Sequence, residues 1–228
     1  MYEPGGYFRM IPTTLAETEF FDFSDPAVER FAKRALKSGS ADKRVQAIEL
    51  FYAVRDGLFY EIYNADFARE KMSASAILRK GSGLCIHKSI VYTALLRKIG
   101  IPAKLWITDV KNHLCSPQLA KLMGSNVFHY HVLVSLQLDG KWIKATPVFN
   151  ARLCQLYRMT PLEFDGVEDC VNHAYDTDGN NYMEITHEHG EYSDLPYEMV
   201  LNGLRQKHAS MFETETKFRS GSLVGDLV

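Results

Sequence analysis

The chain has 228 residues, with 26 Lys and Arg against 28 Asp and Glu and a formal net charge of −2. That length buries a sizeable core without disulfides. The near-balanced charge, with no basic run, argues against nucleic acid or an anionic membrane as partner. The four cysteines, at positions 85, 115, 154 and 170, show no CxxC spacing and read as free thiols of a reducing compartment. Met1-Tyr2-Glu3-Pro4-Gly5-Gly6-Tyr7 lacks the basic-then-apolar pattern of a signal peptide, and no apolar run approaches membrane-spanning length. The expectation is a cytoplasmic protein.

In chain order, Ser24-Asp25-Pro26 predicts a helix entry with proline in the first turn, and the helix runs to about Leu36 before Ser38-Gly39-Ser40. A second helix, from about Ala41 to Gly57, sets Ala47, Leu50, Phe51 and Val54 on one stripe. Both read as scaffold. Lys80-Gly81-Ser82-Gly83-Leu84 then releases a helix that opens at Cys85. Its apolar residues Ile90, Val91, Ala94, Leu95 and Ile99 recur at helical spacing, Arg97 and Lys98 occupy its last turn, and Gly100 and Pro102 stop it. Ala103 to Val110 reads as a strand. Val132, Val134, Leu136 and Leu138 alternate with more polar residues, Asp139-Gly140 is a two-residue turn signal, and Lys141 to Ala145 returns as the partner strand.

From Asn150 onward, loops such as Asp176-Thr177-Asp178-Gly179-Asn180-Asn181 mix with a helix from about Pro196 to Ser210. The stretch Glu213 to Val228 has little periodicity and reads as mobile or packed on a partner. The organisation expected is a single domain over residues 1–228, with a core at about 41–150, a C-terminal elaboration at about 151–212 and a tail at 213–228.

Cys85 carries the chemistry. The first turn of a helix presents unpaired N–H groups and a partial positive charge, which favour a thiolate and predict a lowered thiol pKa. A two-residue turn at Asp139 and Gly140 sets Leu138 opposite Lys141, Leu133 opposite Thr146 and His131 opposite Val148. His131, Leu133, Thr146 and Asn150 then share one face of the hairpin.

These motifs resemble the transglutaminase-like superfamily of papain-like fold. The likeness lies in Gly83-Leu84-Cys85 opening a helix, in Leu95-Leu96-Arg97-Lys98-Ile99-Gly100-Ile101-Pro102-Ala103-Lys104, and in His131 ahead of Leu138-Asp139-Gly140-Lys141-Trp142. A narrower similarity, to bacterial stand-alone members of the cysteine-protease type, rests on Asp109-Val110-Lys111-Asn112-His113-Leu114, Ala145-Thr146-Pro147-Val148-Phe149-Asn150 and Phe164-Asp165-Gly166. The resemblance implies an α+β fold with the nucleophile helix packed on an antiparallel sheet. It further implies that Cys85 attacks an amide or thioester carbonyl while His131 shuttles protons. An aspartate usually orients that histidine, but the matching position holds Thr146. Asn150 and Asp109 are the other two groups that could orient His131, Asp109 if its strand lies antiparallel beside that of His131.

The expected function is thiol-dependent acyl transfer through a Cys85 acyl-enzyme, with hydrolysis of an amide or isopeptide bond favoured. Transfer to an amine and a catalytically silent peptide-binding or partner-binding domain are the alternatives. The expected substrate is a peptide, a protein or a small amide or thioester, and the chemistry requires no cofactor. Two weaker readings share the histidines. His113-Leu114-Cys115 with His129-Tyr130-His131 suggests a metal site without a recognised spacing. His187-Glu188-His189 lacks the helical HExxH pattern and reads as a loop or strand end.

Overall fold

The early helices begin where the sequence supplies an oxygen for their free N–H groups. Asp25 accepts from the Ala27 N–H at 2.7 Å ahead of α1 (Pro26–Ala35), and Asp42 from the Arg44 N–H at 2.8 Å ahead of α2 (Lys43–Gly57). Ser73 accepts from the Ala76 N–H at 3.3 Å ahead of α3 (Ala74–Lys80). The computed structural model describes residues 13–63, 65–113, 115, 117–171 and 183–212. The loop expected at 176–181 and the tail at 213–228 lie outside the described residues.

The helix opening at Cys85, α4 (Cys85–Lys98), is the centre of the molecule. Every residue from Cys85 to Arg97 is buried, because α2 and α3 cover one side and the sheet covers the other. A helix enclosed all round needs partners for its polar residues, and backbone carbonyls of distant segments supply most of them. The Ser89 hydroxyl donates to Val132 O at 2.8 Å, Lys88 Nζ to Arg55 O and Leu58 O, and the Arg97 guanidinium to Ala16 O, Ala103 O and Ser193 O.

A two-residue parallel pair, β1 (Phe59–Tyr60) with β2 (Ser82–Gly83), leads the chain into α4. Gly83 is required there by close approach: a Cβ at this position would lie 2.5 Å from His87 Cβ. The main sheet has the order β5-β4-β3-β6, with β3 (Ala103–Asn112), β4 (Val127–Leu138), β5 (Lys141–Ala145) and β6 (Met183–Tyr192) all antiparallel to their neighbours. The expected α+β architecture, with the helix that opens at Cys85 packed on an antiparallel sheet, is the one observed. Asp139 and Gly140 turn the hairpin at φ 49° and 80°, and Leu138 pairs with Lys141 as the turn chemistry requires.

The outer parts differ from expectation. The β4–β5 ladder ends at Val134 with Ala145, so His131 pairs with Thr108 of β3 and no longer faces Val148. Pro147 has no N–H to extend the ladder, and the chain turns away. Asn150 becomes the N-terminal flank of α6 (Ala151–Leu156) instead of a strand residue on the His131 face. His187-Glu188-His189 lies inside β6, against β3. The remaining elements are α5 (Pro117–Met123), α7 (Tyr197–Lys207) and short 3-10 turns at Arg69–Lys71 and Ala209–Met211.

Candidate active site

Cys85 occupies the first position of α4, where the preceding Leu84 provides no side-chain cap. The N–H groups of Cys85, Ile86 and, from β4, Val132 lie close enough to the sulfur to favour its charged form. Val132 follows His131 directly, so the sulfur lies against the peptide unit that carries His131. Both side chains line one cavity of about 20 Å³, with Tyr60, Phe128, His129 and Tyr130 among its walls. That volume holds about one water.

The helix-start position predicts a lowered thiol pKa, and the structure corrects this. Burial pushes the Cys85 thiol up to about 11, and the N–H groups of Val132, Ile86 and Cys85 itself only partly offset that push. Cys85 is 6% exposed. In this closed arrangement the thiol keeps its proton. Cys154 and Cys170 are likewise raised by burial, to about 11 and about 12, and Cys115 is half-buried.

The three groups considered for orienting His131 have different surroundings. Asp109 does lie on a strand antiparallel to that of His131. Its Oδ2 accepts from His129 Nδ1 at 2.8 Å, and its Oδ1 from His189 Nε2 at 2.7 Å and the Tyr130 N–H at 3.0 Å. Burial pushes this carboxyl up, but the hydrogen bonds from His189, Tyr130 and His129 prevail and hold it below its ordinary value. The Thr146 hydroxyl donates to Val171 O at 2.9 Å. Asn150 Oδ1 accepts from the Tyr60 N–H at 2.8 Å, and its amide donates to Arg55 O and Leu58 O. Asn150 thus ties α6 to the end of α2.

The Asp109 carboxylate also explains the entry to β4. The β3–β4 register shifts between Thr108 and Val110, and Tyr130 sits at φ 55°, in the left-handed region. A bulge of this kind re-aims the side chains around it, and Asp109 holds it through the Tyr130 N–H. The Tyr130 ring stacks on His189 at 4.4 Å and presses onto α7, where a Cβ at Gly203 would come within 2.1 Å of it. Spacing offers His129 only as part of a metal site and His189 only as a loop or strand end, and it gives no sign of Gly203. The signal that would have found them is His187-Glu188-His189 read as a strand beside Asp109, which needs the pairing of β6 with β3.

Among the described residues, no three His, Cys, Asp or Glu side chains converge as a metal-binding set. His113 instead meets Glu184, at 3.1 Å.

No curated protein matches the chain. A crystal structure of a candidate cysteine protease from Cytophaga hutchinsonii is similar to it, with 14% sequence identity and a TM-score of 0.44 over 59% of this chain and 40% of that one. The chain thus spans well under half of that protein's length. The model of the transglutaminase-like superfamily matches residues 30–147. This is just over half of the sequence, and the chain therefore belongs to the transglutaminase-like superfamily, whose general chemistry is catalysis by a cysteine.

Proposed function

We propose that the protein is a cysteine-nucleophile enzyme that forms an acyl-enzyme at Cys85 and hydrolyses an amide or isopeptide bond, with His131 as its proton shuttle. The observation that carries this reading is that Cys85, at the first turn of a helix, and His131 line one cavity. His131 takes the proton of the Cys85 thiol as the sulfur attacks the carbonyl carbon, and the developing oxyanion draws on N–H groups at the helix start. The His131 imidazolium gives its proton to the leaving amine. Water then attacks the thioester, His131 takes the water's proton, and the thiolate departs as the acid is released. Asp109 supports this chemistry by holding the bulge from which His131 is presented.

Transfer of the acyl group to a primary amine uses the same first step and differs only in which nucleophile reaches the thioester. Product analysis with a thioester or activated-amide acyl donor, with and without a small primary amine, distinguishes the two. Free acid as the main product in the presence of amine supports hydrolysis, and acylated amine as the main product replaces it with transfer. Release of neither, by a protein whose Cys85 is accessible to alkylation, favours a silent binding domain.

A further inference from the structure

Three elements close over the cavity that Cys85 lines: α5 through Met123, α7 through Leu204, and the turn at Ala209–Met211 through Met211. They meet at one side chain. His208, between α7 and that turn, is 1% exposed. Its Nδ1 lies 2.7 Å from Met123 O, at the end of α5, and its Nε2 lies 3.0 Å from the His129 N–H, at the entry to β4. A carbonyl only accepts and a backbone N–H only donates. Both contacts are therefore made by a single species, the neutral imidazole with its proton on Nδ1. A second proton, on Nε2, would set two N–H groups against each other in a buried place.

We propose that His208 is an acid-released latch on the lid over Cys85: protonation at Nε2 ejects the His129 N–H and frees α5 and the end of α7 to uncover the cavity. This rests on the reading of Cys85 as the nucleophile and adds the regulation of its access. The groups facing His208 set the sign. Burial disfavours the charged ring, and His129 of β4, with its ring 5.5 Å away, repels it when itself charged. The Met123 carbonyl of α5 and, behind His129, the Asp109 carboxylate of β3 favour it, and Arg205 and Lys207 are the charges on its own helix. The sum holds the His208 pKa below its ordinary value. The closed form thus refuses a proton that the open form accepts, and acid shifts the population towards opening. Opening also returns water to a sulfur that burial sets apart from it, so one motion admits solvent and substrate together.

The test is site-resolved alkylation of Cys85 by iodoacetamide, followed by mass spectrometry from pH 7.5 to pH 5, in the wild type and in His208→Gln. Glutamine accepts from the His129 N–H and does not titrate. The ratio of wild-type to variant rate cancels the ionisation of the thiol itself. With an open-state imidazole near ~6.5, this ratio is expected to rise by up to about thirtyfold across the range, while the ratio for Cys154 stays flat. A flat Cys85 ratio overturns the latch. Should His208→Gln fold poorly, amide hydrogen exchange of the wild type, corrected for intrinsic rates, replaces it. Peptides over 117–124 and 204–212 should then lose protection at pH 5 relative to the β4–β5 hairpin, and unchanged relative protection overturns the proposal. Because both measurements read access and not turnover, a working latch on a protein that releases no product would refute only the acyl-transfer reading.

Discussion

Lys88 Nζ and the side-chain amide of Asn150 donate to the same two carbonyls, those of Arg55 and Leu58. These oxygens close the C-terminal end of α2, where carbonyls have no partner within the helix. Two donors from different elements thus cap one helix end, and Asn150 adds a third bond by accepting the Tyr60 N–H. Asn150→Ala removes the amide's two buried bonds to Arg55 O and Leu58 O and the acceptor of the half-buried Tyr60 N–H, and should lower stability by about 2–3 kcal/mol in urea denaturation. A loss under about 0.5 kcal/mol would contradict the capping role.

Lys88 also sets an alkaline signature. Burial lowers its pKa from 10.5 to about 7, with Asp56 opposing. Between those values the unfolded chain binds more protons than the folded one, so stability rises with pH across the window, by at most about 1.4 kcal/mol per unit. From about pH 9 the sign reverses, because the Cys85, Cys154 and Cys170 thiols are raised by burial and the folded state then holds the extra protons. Denaturation curves at pH 7, 8.5 and 10.5 should show a maximum near the middle value. Lys88→Met should abolish the rise from pH 7 to 8.5, and persistence of that rise in the variant would assign it to another group.

On the acid side, His87 is the group to watch. Burial lowers its pKa from 6.5 to about 4, and its Nε2 lies 3.0 Å from Asp66 O. The unfolded chain binds the proton first as pH falls, so the stability that neutral His87 contributes is fully present above about pH 6.5 and is lost progressively towards pH 4. Unfolding free energies at pH 7 and 4.5 should differ less in His87→Gln than in the wild type. An equal difference would mean that His87 takes no part in acid unfolding.

Asp109 and Thr146 make opposite predictions for catalysis. Asn at position 109 cannot accept from both imidazoles and the Tyr130 N–H as the carboxylate does, so Asp109→Asn should cut turnover at least about tenfold and shift its pH profile. The Thr146 hydroxyl is already committed to Val171 O, and Thr146→Val should change turnover little. A larger loss from Thr146→Val than from Asp109→Asn would reverse the assignment.

What the sequence discloses here is what local chemistry encodes. The Gly-Ser-Gly release and the Gly100 and Pro102 stops bracket α4 correctly, and Asp139-Gly140 sets the hairpin register, because each signal acts within a few residues. The complete burial of α4 was not legible: His87, Lys88 and Arg97 look like a solvated face, and their backbone partners lie far along the chain. The pairing of His189 with Asp109 spans 80 positions, and no alternation around His187-Glu188-His189 marks a strand. The raised Cys85 thiol has the same origin, since the residues that cover it come from α5, α7 and the turn after α7.

The central claim, that Cys85 is the acyl-accepting nucleophile, is tested most directly by mapping the acyl adduct by mass spectrometry after brief incubation with a thioester donor and acid quench. The account predicts the added acyl mass on the peptide containing Cys85, absent in Cys85→Ala and strongly reduced in His131→Gln. An adduct on Cys115, Cys154 or Cys170 in place of Cys85, or one on Cys85 that His131→Gln leaves undiminished, would contradict it.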